Sequence, residues 1–247
     1  MSELISVIMP VYNGATYLPY ALKSIDAQGY DNLEIVIVDD GSTDETAEIA
    51  RSHPRVRYQY QGNRGISEAM NSGLRLARGE YITFLDADDW WSDKKLILQL
   101  GLLKGSSTQI VAGYVQPVKF AYASGNRDFK LVKEPYSLLN LGSALVRASV
   151  FERIGLFDPD FHLCGDWDWF LRAREAAVEM LIHPDVVLYY LRHANNVTNE
   201  RAAIQHGLMK LFKKTLDRQR KAGLTSPLPN FSVFLKESGL LMPDVER

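Results

Sequence analysis

The sequence predicts an α/β fold in which a mostly parallel, Rossmann-like sheet is flanked by helices. Two observations carry this prediction. In the first 100 residues, apolar runs of strand length alternate with segments whose apolar residues recur at helical spacing. Acidic clusters follow two of the predicted strands, at Asp39-Asp40 and at Asp86-Ala87-Asp88-Asp89. Open α/β sheets bind ligands beyond the carboxyl ends of their strands, so these clusters predict a ligand crevice.

The elements of the first half follow one another in a regular order. Strands are predicted at 5–11, 33–38, 56–60 and 81–85, with helices at 18–25, 45–51 and 66–77 between them. Gly79 separates the third helix from the fourth strand. Since parallel neighbours require a crossover, this alternation favours a parallel sheet.

After about residue 100 the alternation stops, and the pattern predicts a mixed half and then a helical tail. The predicted elements are strands at 110–118, 120–122 and 186–191, a turn at Gly125-Asn126, a short apolar segment at 141–147, and helices at 149–154, 166–175 and 202–221. Pro227 and Pro229 interrupt the segment after the last helix. We therefore divide the chain into 1–100 and 101–200, the two halves of one domain, and a tail at 201–247.

Composition narrows the class of protein. The chain has 247 residues, 46% of them hydrophobic, which is enough for a large core. Its 28 basic and 30 acidic side chains give no argument for a nucleic-acid partner. A single Cys164, the lack of a basic and apolar leader, and the lack of any apolar run near roughly 20 residues predict a cytoplasmic protein without a spanning segment. Walker, dinucleotide-binding, Gly-x-Ser-x-Gly and His-Glu-x-x-His motifs are absent, which disfavours kinases, dehydrogenases and the common hydrolases.

The acidic pair Asp86-Ala87-Asp88 predicts a metal site. Two carboxylates this close repel each other unless a cation or hydrogen bonds compensate. Hard oxygen ligands favour Mg²⁺ or Mn²⁺, which keep coordination positions open for water and phosphate oxygens. The alternative is an acidic turn that caps a helix beginning near Asp93.

Four motifs together resemble family 2 glycosyltransferases of the GT-A fold, over residues 4–198. They are Pro10-Val11-Tyr12-Asn13, Asp39-Asp40-Gly41-Ser42-Thr43-Asp44, Asn63-Arg64-Gly65 and Phe84-Leu85-Asp86-Ala87-Asp88-Asp89. The resemblance implies an inverting enzyme that uses Mn²⁺ or Mg²⁺ to move a sugar from a nucleoside-diphosphate sugar, for which we expect a UDP-sugar, to an acceptor hydroxyl. Residues 1–100 would then bind the donor and residues 101–200 a glycan or lipid-linked acceptor in polysaccharide or glycolipid synthesis.

The same resemblance assigns roles to individual residues. The implied donor-binding residues are Pro10, Val11, Tyr12, Asn13, Asp39, Asp40, Asn63, Arg64, Gly65, Asp86, Ala87, Asp88, Gly142, Ser143 and Trp167. Tyr12 would stack on the base, and Asp40 would accept a hydrogen bond from the base or ribose. Asp88 would be the main metal ligand and His193 a further one, with Asp86 holding the ribose or the hydration shell of the metal. Gly142-Ser143 would let the donor sugar approach closely.

The segment Cys164-Gly165-Asp166-Trp167-Asp168-Trp169-Phe170-Leu171-Arg172 resembles the element of the family that carries the base, and Asp166 falls on the base position. Asp168 would cap its helix or position an acceptor. Gly165 replaces an acid that relatives usually carry, and Met70 replaces an Arg, whose phosphate contact Arg64 would supply. These departures motivate a second interpretation, a catalytically degenerate sugar-nucleotide-binding protein. A sugar-1-phosphate nucleotidyltransferase is disfavoured because no Gly-rich basic loop follows the first strand.

The tail helix carries an apolar face beside six basic residues, Lys210, Lys213, Lys214, Arg218, Arg220 and Lys221. Two roles are open for it. It could make peripheral contact with the inner face of an anionic membrane, where lipid-linked acceptors reside. The favoured alternative is that the apolar face packs on its own domain or on a second subunit of a homodimer.

Overall fold

The computed structural model of the chain describes residues 3–123, 126–137, 139–194, 196, 199 and 201–223. The expected interruption at Pro227 and Pro229 and the first residue of the expected turn, Gly125, lie outside the described residues.

The first half forms a parallel sheet, as the alternating pattern predicts. Its strands are β1 (Ile5–Val11), β2 (Leu33–Asp40), β3 (Val56–Gln61) and β4 (Tyr81–Phe84), and its helices are α1 (Leu18–Asp26), α2 (Thr46–Ser52) and α3 (Ile66–Leu76). The strand order β3-β2-β1-β4 is parallel throughout. Every residue of β1 and β4 is buried because helices and the second half cover both faces of the sheet. The carboxyl ends of these strands therefore meet at one edge.

The second half extends this sheet with mixed pairing. It contains β5 (Trp90–Trp91), α4 (Lys95–Lys104), β6 (Ile110–Ala123), β7 (Asn126–Leu131), β8 (Tyr136–Ser137), β9 (Ala144–Arg147), α5 (Ala148–Ile154), α6 (Gly165–Glu175), β10 (Met180–Leu191) and α7 (Arg201–Lys221). The order continues β4-β9-β6-β10-β5, with β9 antiparallel to β4 and β10 parallel to β6. The predicted α/β fold class is thus confirmed.

Three element boundaries differ from the sequence-based expectation. The two strands expected at 110–118 and 120–122 are one continuous strand, because Lys119 pairs across to β7 without breaking the ladder. The last strand begins at Met180 rather than at 186, since register shifts around residues 182–188 accommodate Pro184-Asp185. The two-residue strand β5 gives too short a pattern to be recognised from sequence.

The tail helix α7 packs on its own domain. Leu211 and Thr215 are fully buried, and a Cβ at Gly207 would lie 2.7 Å from Cys164 Sγ, just before α6. Lys210 Nζ donates to the Asp160 carbonyl at 2.6 Å, and Lys214 pairs with the carboxylate of Asp158. The favoured packing role is therefore what the structure shows, whereas the homodimer and the membrane contact of this helix stay predictions. No helix in the described part of the chain is both long and apolar enough to cross a bilayer.

Candidate active site

An acidic cluster follows β4 at the edge where the parallel strands end. Asp89 is buried, and its Oδ1 accepts a hydrogen bond from the Leu191 amide at 3.0 Å, which ties the turn to β10. Burial, together with the charges of Asp88 and Asp86, raises the pKa of Asp89 well above its ordinary value. Asp88 keeps 30% of its side chain exposed and points outward. The cluster thus contains a buried, structural carboxylate, Asp89, and a partly exposed one, Asp88.

Asp166 joins this cluster from the first turn of α6, 80 residues along the chain from Asp86. Burial raises the pKa of Asp86 to about 7, with further contributions from the charges of Asp88 and then Asp166. Burial also raises the pKa of Asp166 to about 6, although its Oδ1 accepts a hydrogen bond from the Trp167 amide at 2.9 Å. The fold therefore brings the predicted base near enough to Asp86 for the two carboxyl groups to influence each other electrostatically.

His193 reaches the same place from beyond the end of β10. Its Nε2 lies 2.9 Å from Asp88 Oδ2, and its ring stacks on Tyr17 with centroids 4.9 Å apart. Asn196 Nδ2 donates to the Leu191 carbonyl at 2.9 Å and lies 3.4 Å from Asp88 Oδ2. The predicted proximity of His193 to Asp88 is thus present, and its orientation is fixed by stacking.

The residues present fit a hard divalent cation. A carboxylate oxygen of Asp88 and a ring nitrogen of His193 converge, and a cation there would relieve the mutual repulsion of the acidic cluster. The described residues contain no group of three or more His, Cys, Asp and Glu side chains that could hold a metal ion on their own. Such a site would need water and phosphate oxygens to complete its shell, as Mg²⁺ sites in proteins usually do.

Asp39 and Asp40, at the end of β2, are buried, and each accepts hydrogen bonds from neighbouring groups. Asp39 Oδ2 accepts from the Tyr58 hydroxyl at 2.7 Å, and burial followed by this hydrogen bond raises the pKa of Tyr58 to about 12. Asp40 accepts hydrogen bonds from the backbone amides of Arg64 and Gly65, each at 2.8 Å. The first role of Asp40 is therefore to shape the Asn63-Arg64-Gly65 loop. A carboxylate has about four acceptor positions, so a further bond to a ligand remains available.

The end of β1 contributes a flat, open surface. Pro10 and Val11 are buried, whereas Tyr12 is 56% exposed and so does not belong to the core. Asn13 Oδ1 accepts from the Thr43 amide at 2.8 Å, which holds the β1 end against the loop after β2. An exposed ring on a fixed backbone is what stacking on a base requires.

Comparison with known proteins decides the family. The model of Glycosyl transferase family 2 matches residues 6–147. The chain belongs to this family. An uncharacterized glycosyltransferase of Rickettsia prowazekii is 31% identical over 97% of this chain and 82% of its own length. The glycosyltransferase GlyG of Streptococcus pneumoniae is 48% identical over 36% of this chain and 31% of its own length.

Solved structures share the GT-A fold of this glycosyltransferase. The mannosyltransferase PcManGT of Pyrobaculum calidifontis, in complex with GDP-Man and Mn²⁺, superposes with a TM-score of 0.73 at 21% identity, covering 97% of this chain and 70% of its own. The S. aureus TarS 1-349 complex with UDP-GlcNAc gives 0.66 at 19% identity, covering 79% and 60%. The chain thus spans about 60% of that TarS fragment.

Gly142 and Ser143 of the glycosyltransferase are buried beside β5 and α4. Trp91 Nε1 donates to the Gly142 carbonyl at 2.9 Å, and Gln99 Nε2 donates to the Ser143 carbonyl at 2.8 Å. A Cβ at Gly142 would lie 2.9 Å from Asn140 Oδ1. A side chain at position 142 would collide with neighbouring protein atoms, and this packing accounts for the glycine.

The packing of α6 explains the departure at Gly165. A Cβ at Gly165 would lie 2.7 Å from Ser67 Oγ, which donates to the Phe161 carbonyl at 2.7 Å. An acidic side chain therefore does not fit here unless Ser67 moves. Trp167, next to Asp166, is half-buried against the core.

Asp168 has a structural role in the first turn of α6, and its expected role in positioning an acceptor stays a prediction. It is 1% exposed and lies between two guanidinium groups, with Oδ2 accepting from Arg172 Nε and Oδ1 from Arg218 Nη1, each at 2.8 Å. A buried carboxylate needs such partners. Sequence reasoning missed this pairing because Arg218 lies 50 residues away on α7.

The departure at Met70 is also explained by packing. Met70 is 4% exposed in the core against Phe84, so it faces away from solvent. The neighbouring Asn71 donates its Nδ2 to the Phe157 carbonyl at 2.8 Å and accepts from the Phe157 amide at 2.9 Å, which fixes the loop before α6. The side chain of Arg64 is exposed, as a residue that contacts phosphate requires.

Proposed function

We propose that this glycosyltransferase transfers a sugar with inversion from a nucleoside-diphosphate sugar, in the first instance a UDP-sugar, to an acceptor hydroxyl. The observation that supports the proposal is that Asp166, on α6, lies near enough to Asp86 for its charge to raise the pKa of Asp86. An inverting transfer needs one carboxylate to accept the proton of the attacking hydroxyl, and it needs no protein nucleophile.

Three features support the donor assignment. Tyr12 offers an exposed ring at the end of β1, Asp40 orders the loop that carries Arg64, and that arginine side chain is free to meet a diphosphate. TarS is solved with UDP and with UDP-GlcNAc, and PcManGT with GDP-Man, so a uracil or a guanine nucleotide fits the fold. We rank UDP first and keep GDP as the alternative.

Asp88 and His193 would hold a divalent cation, with Asp86 binding its hydration shell or the ribose. The Mn²⁺ in the PcManGT structure supports this assignment. When bound, the cation would supply positive charge to the departing diphosphate. The contribution of the chain is to hold the two donor atoms 2.9 Å apart and to orient the imidazole by its stack on Tyr17.

Asp166 would act as the general base. Its pKa of about 6 lies below neutral pH, so it is mostly ionised there, yet it is more basic than an exposed carboxylate. The Trp167 amide holds one oxygen and leaves the other for the acceptor hydroxyl. The acceptor would be a glycan or a lipid-linked sugar in polysaccharide or glycolipid synthesis.

The departures that motivated a degenerate protein have structural explanations. The site lacks room for an acid at Gly165, and Met70 belongs to the core. Neither residue removes a group from the cluster of Asp86, Asp88 and Asp166. Nothing in the fold favours the nucleotidyltransferase interpretation.

The test is a screen of UDP- and GDP-sugars with purified protein, Mn²⁺ and simple glycoside acceptors, followed by NMR of the anomeric configuration of the product. We expect one donor to react with inversion, and Asp166→Asn to lower turnover about 100-fold or more while nucleotide affinity is kept. Asp93→Asn, at an exposed carboxylate, is the matched control and should retain turnover. Transfer at normal rates by Asp166→Asn, or a product with retained configuration, would refute the mechanism.

A further inference from the structure

The hairpin of β6 and β7 carries an exposed apolar patch, which we call the hairpin patch: Phe129, Leu131 and Val132. These side chains are 43%, 64% and 39% exposed. Among the described strands, β7 pairs with β6 alone, so its outer edge is open. Contiguous exposed apolar groups on an edge strand are unusual unless a partner covers them.

Basic residues lie beside the hairpin patch and on the opposite face of the same hairpin. The described side chains of the hairpin and the residues after it include Lys119, Lys130 and Lys133 against Glu134. The side chains of the three lysines are exposed. Arg192, whose side chain is also exposed, donates its backbone amide to the Val118 carbonyl at 2.8 Å and so lies beside the hairpin. The local charge is therefore positive on a chain whose net charge is −2.

Lys119 and Lys130 place two positive charges directly opposite each other on the hairpin. They are direct partners in the β6–β7 register, on the face opposite the paired Phe120 and Phe129. Like charges directly opposite each other destabilise an antiparallel pair. An anionic surface beside the hairpin would relieve this repulsion, whereas a neutral or basic partner would not.

The hairpin patch is continuous with the candidate active site. The Phe129 ring lies 4.3 Å from that of Trp90, which directly follows the acidic cluster. On the other strand, Phe120 stacks on Tyr17 at 5.9 Å, and Tyr17 stacks on His193. A surface docked on the hairpin patch would therefore lie next to the site rather than on a remote face.

We propose that the hairpin patch docks on an anionic lipid bilayer. The open edge of β7 enters the headgroup region with Phe129 and Leu131 on one face of the hairpin, and the long side chains of Lys119 and Lys130 on the other face reach lipid phosphates. The tail helix is the weaker candidate because Lys210, Lys214 and Arg218 already bind the domain through Asp160, Asp158 and Asp168.

Vesicle flotation tests the proposal with the full chain and without knowledge of the sugar substrates. Vesicles of phosphatidylcholine alone are compared with vesicles that also contain phosphatidylglycerol, at low and high salt. We expect binding to the anionic vesicles only, weakened by salt. Phe129→Ser with Leu131→Ser, and separately Lys119→Ala with Lys130→Ala, should each lower partitioning by about tenfold or more, since a basic residue near an anionic surface contributes about fivefold.

The matched control lies on α7, where Met209 and Leu216 are 73% and 39% exposed. Met209→Ser with Leu216→Ser removes a similar apolar area and should leave binding unchanged. The proposal is overturned if this control loses binding while the hairpin variants keep it, or if the wild-type protein binds no vesicle. It is also overturned if sedimentation shows that the hairpin variants dissociate a dimer, which would make a second copy the partner. Circular dichroism verifies that each variant is folded.

Discussion

Asp166→Asn should stabilise the fold while it removes activity. Burial raises the pKa of Asp166 to about 6 from an ordinary value of 3.8. The folded protein therefore binds a proton more tightly than the unfolded chain does. The contribution of this carboxyl to stability is fully present below about pH 4 and is lost as the pH rises through about 6. At pH 8 the ionised carboxylate destabilises the native state, and the neutral amide of asparagine does not.

The magnitude follows from the pKa difference. One pKa unit corresponds to 1.36 kcal/mol, so the ionised form costs up to about 3 kcal/mol at pH 8. Asp166 keeps some solvent contact, which makes this figure an upper limit, and we expect a gain of about 1–3 kcal/mol. Asparagine is chosen because its Oδ1 can still accept the Trp167 amide that Asp166 accepts now. The gain therefore reports the charge rather than a lost hydrogen bond.

The assay is urea unfolding of both proteins between pH 4 and pH 8, in EDTA so that no cation neutralises the cluster. The difference in the free energy of unfolding should be near zero at pH 4 and should grow through pH 6. If the difference in the free energy of unfolding is constant between pH 4 and pH 8, the pKa of Asp166 is not raised in the folded protein and the prediction is wrong.

Three further predictions concern single positions. Asp88→Asn should abolish the Mn²⁺-dependent part of nucleotide binding in equilibrium dialysis; unchanged manganese dependence would exclude this carboxylate from the metal site. Gly165→Ala should lower the free energy of unfolding by about 1–3 kcal/mol because its Cβ meets a hydroxyl at 2.7 Å, whereas Gly101→Ala, with open space around it, should stabilise α4 by up to about 1 kcal/mol. Equal effects at the two glycines would contradict this. Arg218→Met should cost about 3 kcal/mol or more in urea unfolding since it leaves a buried carboxylate half-paired, while Arg220→Met, at a 77% exposed side chain, should change stability by less than about 0.5 kcal/mol; a neutral first variant would show that the pair is dispensable.

Much of the first half could be predicted from the sequence because its signals are local. Buried parallel strands such as Leu33–Asp40 are continuous apolar runs in the sequence. The acidic residues at their carboxyl ends indicate the edge of the sheet where a ligand would bind. The proximity of Asp88 to His193, and the electrostatic influence of Asp166 on Asp86, could be expected only through the family resemblance, since these pairs are 105 and 80 positions apart.

The rest could not be predicted because it depends on which side chains the fold brings together. Asp88 and Asp89 are adjacent in sequence, yet one faces the cleft and the other is buried on the Leu191 amide. The sequence suggests a cap or an acceptor contact for Asp168, and only the packing of α7 places Arg218 against it. The reason for Gly165 lies in Ser67, almost 100 positions earlier.

Calorimetric binding of UDP, GDP, dTDP and CDP, each with and without Mn²⁺, tests directly whether the protein has one nucleotide site that a divalent cation assists. We expect one nucleotide, with UDP ranked first, to bind the wild-type protein. Mn²⁺ should strengthen this binding by about tenfold or more, which corresponds to about 1.4 kcal/mol of binding free energy. Binding of none of the four, or binding that is indifferent to the metal, would contradict a single metal and donor site built from Asp86, Asp88 and His193.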